Sequence, residues 1–405
     1  MTPTAATEGF DLERLRNDTP GCRTRIHLNN AGAGLMPRPV VEAMKAHLDL
    51  EAEIGGYEAA AEKKGAVGEF YVQMAKLIGT TVRNIAFAGS ATAAYAQALS
   101  SIPFERGDQI LTTRDDYISN QIAFLSLRKR FGVEVVRAPA LAAGGVDVEG
   151  LIRSLDRRRP RLVAVTHIPT NSGLVQPVEE IGRACRERDL LYLVDACQSL
   201  GQLVIDVEEI GCDFLSATCR KFLRGPRGSG FLYVSDRILA GKLEPLFLDM
   251  RGAEWTSADT YAPSPTATRF EDWEFPYAIV LGCAEAARYA TIVGMDRVAA
   301  RSPELGRRLR SRLAAIPGVR VLDWGRQLCA IVTAAIPGWE ATPFQAELNR
   351  RRINAAISLR NYAVLDFEEK DVEWAIRFSP HYYNTDEEIE AAAMAVEEIL
   401  AARRR

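Results

Sequence analysis

The sequence predicts an α/β protein: a large domain on a mixed, mostly parallel sheet, followed by a smaller C-terminal α+β domain. Three observations predict it. From about residue 80, short apolar runs alternate with helical patterns, the rhythm of a sheet built from β–α units. "LLYLVDA" (190–196) is a continuous apolar run, as expected of a parallel strand covered on both faces. After about residue 290 the rhythm changes: "GMDRVAARSPELGRRLRSRLAAIPGVRVLD" reads as a long helix feeding a strand, and the chain closes on the amphipathic "NTDEEIEAAAMAVEEILAARRR". The 405 residues exceed the usual size of a single core. The expected division is an N-terminal arm (1–20), a large domain (21–290) and a small domain (291–405).

The elements of the large domain follow in order. "NIAFAG" (84–89) is a strand and "SATAAYAQALSSI" a helix; "DQILTT" (108–113) is a strand and "SNQIAFLSLRKRFG" a helix ending at Gly132. "VEVVRAP" is a strand, "VEGLIRSLD" a helix, and "RLVAVTHI" (161–168) a strand. "PVEEIGRACRERD" is a helix with Pro177 pre-set for its first turn. "CDFLSAT" and "GFLYV" complete the sheet, and "DMRGAEWTSADTYAPSPTATRFEDW" (249–273) reads as a loop bearing aromatic residues.

Composition bounds the function. A net charge of −3 with 25% charged residues gives no footprint for a nucleic acid. "DRRRP" (156–160) and the closing "RRR" read as a helix terminus and a solvated end. Seven cysteines carry no CxxC or zinc-like spacing and four histidines are scattered, so no metal site is expected. The first residues lack the apolar core of a signal peptide, and no apolar run is long enough for a bilayer. The expectation is a reduced, cytoplasmic protein with no membrane or nucleic-acid partner.

Ligands of open parallel sheets bind at the carboxyl ends of the strands, and three polar features fall there. "AGSATAAY" (88–95) is a strand, a small-residue turn and a helix start. Its Ser90 and Ala91 N–H groups and the Ser90 and Thr92 hydroxyls can cradle a phosphate, or Ser90 can simply cap the helix. Asp195 ends a buried strand, where a carboxylate needs a cationic or hydrogen-bonding partner such as a protonated pyridine. Lys221 follows "CDFLSAT" beside Arg220, a neighbour that together with desolvation lowers a lysine's pKa. Phosphate cradle, carboxylate and amine together describe a site for pyridoxal 5′-phosphate (PLP).

"VDACQSLGQ", "SATCRKFLRGPRGSGFLYV" and "RFSPHYYNT" resemble the class V aminotransferase family of fold-type I PLP-dependent enzymes, which includes cysteine desulfurases, isopenicillin N epimerase-like proteins and ergothioneine-pathway C–S lyases. The likeness runs from "IHLNNAGAGLMP" (26–37) to "RFSPHYYNTDEEI" (377–389). It implies the fold-type I architecture, with Lys221 holding PLP as the internal aldimine and shuttling protons. Asp195 would pair with the ring nitrogen and Gln198 with the ring's 3-oxygen. Ser90, Ala91, Thr218 and Arg220 would bind the phosphate, Arg220 replacing a histidine common in the family. Arg377 would pair with the substrate carboxylate, helped by the backbone near Asn30 and Ala31. Tyr117 falls where desulfurases stack a histidine on the ring, and can stack or act as an acid. Thr170 or Asn171, in "THIPTNSG", falls near the family's asparagine beside the cofactor. "RFEDWEF" (269–275) lies where relatives reach into the partner's site, implying a homodimer with shared active sites and Trp273 or Glu274 near the cleft.

Desulfurases carry a persulfide-forming cysteine on a small-domain loop. The corresponding "NAAISLRNYAVLDFEEKDVEW" (354–374) has none, and Cys329 reads as buried strand. The expected reaction is therefore C–S β-elimination from cysteine, its sulfoxide or an S-conjugate, through an external aldimine and a quinonoid. Epimerisation or transamination through the same carbanion is the alternative. A non-catalytic PLP-fold partner protein is a third reading, which the intact Lys221, Asp195 and Arg377 oppose.

Overall fold

A computed structural model describes residues 10–403; residues 1–9 of the arm and the last two arginines lie outside it. Seven strands form the main sheet: β1 (Ile85–Ala88), β2 (Gln109–Thr112), β3 (Glu134–Arg137), β4 (Leu162–Thr166), β5 (Leu191–Asp195), β6 (Phe214–Thr218) and β7 (Gly230–Val234). Their spatial order is β1-β7-β6-β5-β4-β2-β3, and all neighbouring pairs are parallel except those made by β7. The antiparallel direction of β7 follows from the link: the stretch 219–229 is too short for a crossover helix, so the chain must turn back.

Residues of each strand alternate between two apolar cores, which is why the strands read as unbroken apolar runs. Leu162, Leu193, Phe214 and Leu232 face one cluster with Ala94, Tyr95 and Phe124. Val163, Tyr192, Leu215 and Phe231 face the other, with Phe70, Met74 and Cys283. Helices α1 (Ala91–Ser100) and α2 (Ile118–Phe131) follow β1 and β2. Gly132 ends α2 in the left-handed region at φ 75°, as its position in the sequence predicts. The basic run at 156–160 closes a helix, Val148–Arg158.

A second sheet of four strands contains β8 (Arg320–Val321), β9 (Val332–Ala335), β10 (Ala356–Leu359) and β11 (Trp374–Phe378). It packs on the long helix Met295–Ala314 and the last helix, Asp386–Arg403, through Leu305, Leu309, Phe344, Ile376 and Val396. Ile26 and His27 pair in parallel with Ile353 and Asn354, and Leu28 joins this second core. The described part of the arm sits on the C-terminal region: Phe10 meets Tyr382 edge-on and Arg16 pairs with Glu388 at 2.9 Å.

Two expectations are corrected. Residues 249–273 are not a plain loop but contain an exposed hairpin, Ala253–Ser257 with Thr260–Pro263. Cys329 is fully buried but precedes β9 rather than lying in a strand, its N–H donating to the Gly173 carbonyl. Among the described residues, no single helix is long and apolar enough to cross a membrane, and no cluster could hold a metal ion.

Candidate active site

The parallel strands all end on one side of the sheet, so the residues that follow them converge. Tyr117 follows β2, Thr170 follows β4, Asp195 and Gln198 close β5, and Lys221 follows β6. β7 starts at the same edge, beside the turn after β1.

Lys221 is buried, and its Nζ lies 5.8 Å from the centroid of the Tyr117 ring. Burial pushes its pKa below the ordinary lysine value, and Arg220 and Arg377 push the same way against Cys197 and Asp195. A lysine so placed is a nucleophilic amine nearer neutral pH than a surface lysine. The turn around it is shaped by glycine: a Cβ on Gly34 would lie 2.5 Å from the Lys221 carbonyl oxygen.

Asp195 is buried at the end of β5. Its Oδ1 accepts from the Cys197 N–H at 2.9 Å and its Oδ2 from Asn120 Nδ2 at 3.0 Å. Each oxygen has two acceptor positions, so the carboxylate retains capacity for a further, cationic donor. Gln198 Nε2 donates to the Ala31 carbonyl and the Thr170 hydroxyl, both at 3.1 Å, while its buried Oε1 has no partner among the described residues.

The turn between β1 and α1 shows the capping role directly. Ser90 caps the helix, its Oγ accepting from the Ala93 N–H at 3.0 Å. The turn is also pressed against β7: a Cβ on Gly230 would come within 2.6 Å of the Ala91 nitrogen. Thr218 is buried and donates to the Ser229 carbonyl at 3.2 Å; Thr92 is exposed beside the turn. Arg220 donates to the Gly32 carbonyl, bringing the segment 29–34 to this end of the site.

Arg377, on β11, is the one site residue contributed by the second sheet. It is buried, with Nη1 donating to the Thr170 carbonyl at 3.1 Å and Nη2 to Asn29 Oδ1 at 3.3 Å. Its Nε has no partner, and burial first, then Arg220, lower its pKa to about 10. Asn30 is anchored by donating to the Ser379 carbonyl at 2.8 Å and accepting from the Tyr383 hydroxyl at 2.6 Å. The Ala31 N–H donates to Ser379 Oγ at 2.9 Å.

Of the two candidates in "THIPTNSG", Thr170 touches both Gln198 and Arg377. Asn171 instead directs its amide to the Tyr362 carbonyl at 3.1 Å, tying this turn to the segment after β10. Trp273 and Glu274 line a surface groove with Tyr57 and Leu48 and share no hydrogen bond with the Lys221 group within the chain. Three neighbours escaped the sequence reading. Asn120 lies in the first turn of α2 and Asp116 just before it, in a stretch that reads as ordinary polar sequence. Cys197 sits between Asp195 and Lys221, and burial holds its thiol well above the usual pKa, hence neutral.

These residues fit PLP. The buried Gln198 Oε1 and Arg377 Nε have no polar partner among the described residues, and Asp195 can take a ring N–H.

Buried histidines make the fold around this site acid-sensitive. His27 and His167 are both lowered from 6.5 to about 4, chiefly by burial. His381, lowered further, bridges the Phe222 carbonyl and the Ser302 hydroxyl just beyond Lys221. Between pH 6.5 and about 4 the unfolded chain takes up protons that the folded chain refuses, so stability falls as pH falls through that window. His27 and His167 each contribute on the order of 3 kcal/mol. Thermal melts of the protein are expected to drop steeply from pH 6.5 to 4; a flat profile there would contradict the neutral, buried state.

The chain is 30% identical over 396 residues to a probable cysteine desulfurase of Methanothermobacter thermautotrophicus, covering 96% of this chain and 98% of that one. It is 28% identical over 373 residues to a probable hercynylcysteine sulfoxide lyase of Mycobacterium tuberculosis, covering 92% and 89%. Its fold matches that of a cysteine desulfurase from Thermococcus onnurineus with a TM-score of 0.88 at 24% identity, over 99% of this chain and 100% of that one. The Aminotransferase class-V family model matches residues 26–392, and with the fold and the Lys221 site described above this chain belongs to that family of PLP-dependent enzymes.

Proposed function

We propose that the protein is a C–S β-lyase acting on cysteine, a cysteine sulfoxide or an S-conjugate, and that with water it yields pyruvate, ammonia and the released sulfur species. The observation that carries this reading is the segment 354–374. It holds no cysteine and is built as β10, a short turn and the helix Val364–Lys370. Within the helix the buried Lys370 pairs with Asp366 at 2.5 Å, and its Nζ lies 5.5 Å from the Trp324 ring centroid. A desulfurase needs a reactive thiol on a mobile segment there to take up sulfur. Of the cysteines near the site, Cys329 is buried and Cys197 is held neutral, so neither is primed as a thiolate.

Bound PLP supplies an electron sink for the electrons of the substrate's Cα–H bond. The chain's own residues do the rest. The Lys221 amine would hold the cofactor and would move the proton at the substrate's Cα. Asp195 would accept the ring N–H and Gln198 would lie beside the ring's 3-oxygen. Ser90, Ala91, Thr92, Thr218 and Arg220 would hold the phosphate, and Tyr117 would stack on the ring. Arg377 takes the α-carboxylate with Asn30 and Ala31 framing it, and Thr170 rather than Asn171 completes that wall. In the same reading a homodimer shares its sites. The exposed side chains of Tyr57, Phe247 and Trp255, 76%, 81% and 79% accessible, support it, with Trp273 and Glu274 at the shared edge.

Incubation with cysteine, its sulfoxide and a set of S-conjugates, assayed for pyruvate and ammonia, tests the reading. Pyruvate in amounts equal to the sulfur released is expected. Configuration change at Cα or a keto acid retaining sulfur would move the assignment to epimerase or aminotransferase.

A further inference from the structure

The most heavily bonded group near the site is not one of the cofactor residues but the carboxylate of Asp116, one position before Tyr117. It is buried, and among the described residues it forms no ion pair. Five donors converge on it: Thr112 Oγ1 at 3.2 Å, the Tyr117 N–H at 2.7 Å, Asn120 Nδ2 at 3.1 Å, Gln121 Nε2 at 2.7 Å, and the Thr166 hydroxyl. Burial raises its pKa while the donors from Thr166, Gln121, Asn120 and Tyr117 oppose that rise. A carboxylate that gathers this many N–H and O–H groups is built to carry its charge.

The same Asn120 Nδ2 that meets Asp116 also donates to Asp195 Oδ2 at 3.0 Å. An amide NH2 has two protons, and of its three acceptors here the two carboxylates lie nearer than the Thr166 hydroxyl at 3.3 Å. Thr166, whose hydroxyl donates to Asp116, precedes His167, whose N–H donates to the Asp195 carbonyl at 2.9 Å. Side chain and backbone of Asp195 are thus both referred to Asp116.

Resting on the reading that Asp195 meets the ring nitrogen of PLP, we infer that Asp116 is a positioning residue: through the Asn120 amide it fixes the Asp195 carboxylate and adds a second negative charge that favours a protonated ring nitrogen. Without Asp116, Asn120 loses its anchor and Asp195 loses both its orientation and part of the negative field around it.

The test compares the affinity of the full-length apoprotein for PLP and for its 1-deaza analogue, in which carbon replaces the ring nitrogen. Asp116→Asn is expected to weaken PLP about tenfold and to leave the 1-deaza analogue within about twofold, because only the former has the proton that Asp195 receives. In an Asn120→Ala background the same change should discriminate less, because only the loss of the Asp116 charge then remains; undiminished discrimination there would overturn the route through the Asn120 amide. Equal weakening of both compounds would show a merely structural role and overturn the inference, as would an unchanged preference for PLP. If Asp116→Asn does not fold, Asn120→Ala alone must lower the PLP preference; retention of the full preference overturns the inference. A native protein that binds neither compound overturns the cofactor reading, and this inference with it.

Discussion

Lys221→Ala is expected to abolish any borohydride-reducible adduct with PLP and to cut turnover by more than about 10³-fold, while the protein stays folded and keeps its oligomeric state. The physical basis is how little else depends on the amine. Among the described residues no hydrogen bond of Nζ holds an element in place, and Nζ lies 5.8 Å from the Tyr117 ring centroid. The carbonyl of residue 221, which Arg224 N–H uses at 3.0 Å, survives the change. Removing a buried cation whose pKa burial has lowered also relieves a desolvation burden, so the melt should hold or rise. Absorption spectra before and after borohydride, light scattering and a pyruvate assay read the three parts separately. A variant that kept a reducible adduct and full turnover would refute the role, and a native protein that sedimented as a monomer would remove the shared-site part of the reading.

The sheet was legible because its strands are short, apolar and separated by complete helices. Neither Asp195 at the end of "LLYLVD" nor Lys221 before a glycine-rich turn is decisive alone; they become legible as a set with "AGSATAAY" and Arg377. What stayed hidden has physical causes. The direction of β7 is set by the length of one connection and not by its composition. The 253–263 hairpin carries both exposed strands on polar and aromatic residues without a buried face, so no alternation marked it. Asn120 and Asp116 lie in "DDYISN", whose meaning appears only when α2 lays it beside β4 and β5. The pairing of Thr170 with Arg377 spans 207 positions, and no local pattern distinguishes Thr170 from Asn171.

Arg377 gives the other large effect. Arg377→Leu is expected to lower kcat/KM for amino-acid substrates by about 2–4 kcal/mol, roughly 30- to 1000-fold, with PLP affinity little changed. Two of its N–H groups are spent on Thr170 and Asn29, which fix the guanidinium plane on β11. Its Nε is left buried without a partner, and Arg220 adds a second positive charge where a carboxylate would complete the set. A cation kept this dry with no acid beside it is a poor way to stabilise a fold and a good way to bind an anion. Leucine at 377 should therefore leave the apoprotein at least as heat-stable as before while the substrate constant collapses. Arg377→Lys should recover only part of the loss, since a point charge cannot reproduce the fork. A kcat/KM within about twofold of the unchanged enzyme would place the substrate carboxylate elsewhere. A fall in heat stability matching the fall in activity would instead make Arg377 a strut between the two sheets, because its bonds to Thr170 and Asn29 would then be holding the fold and not the ligand.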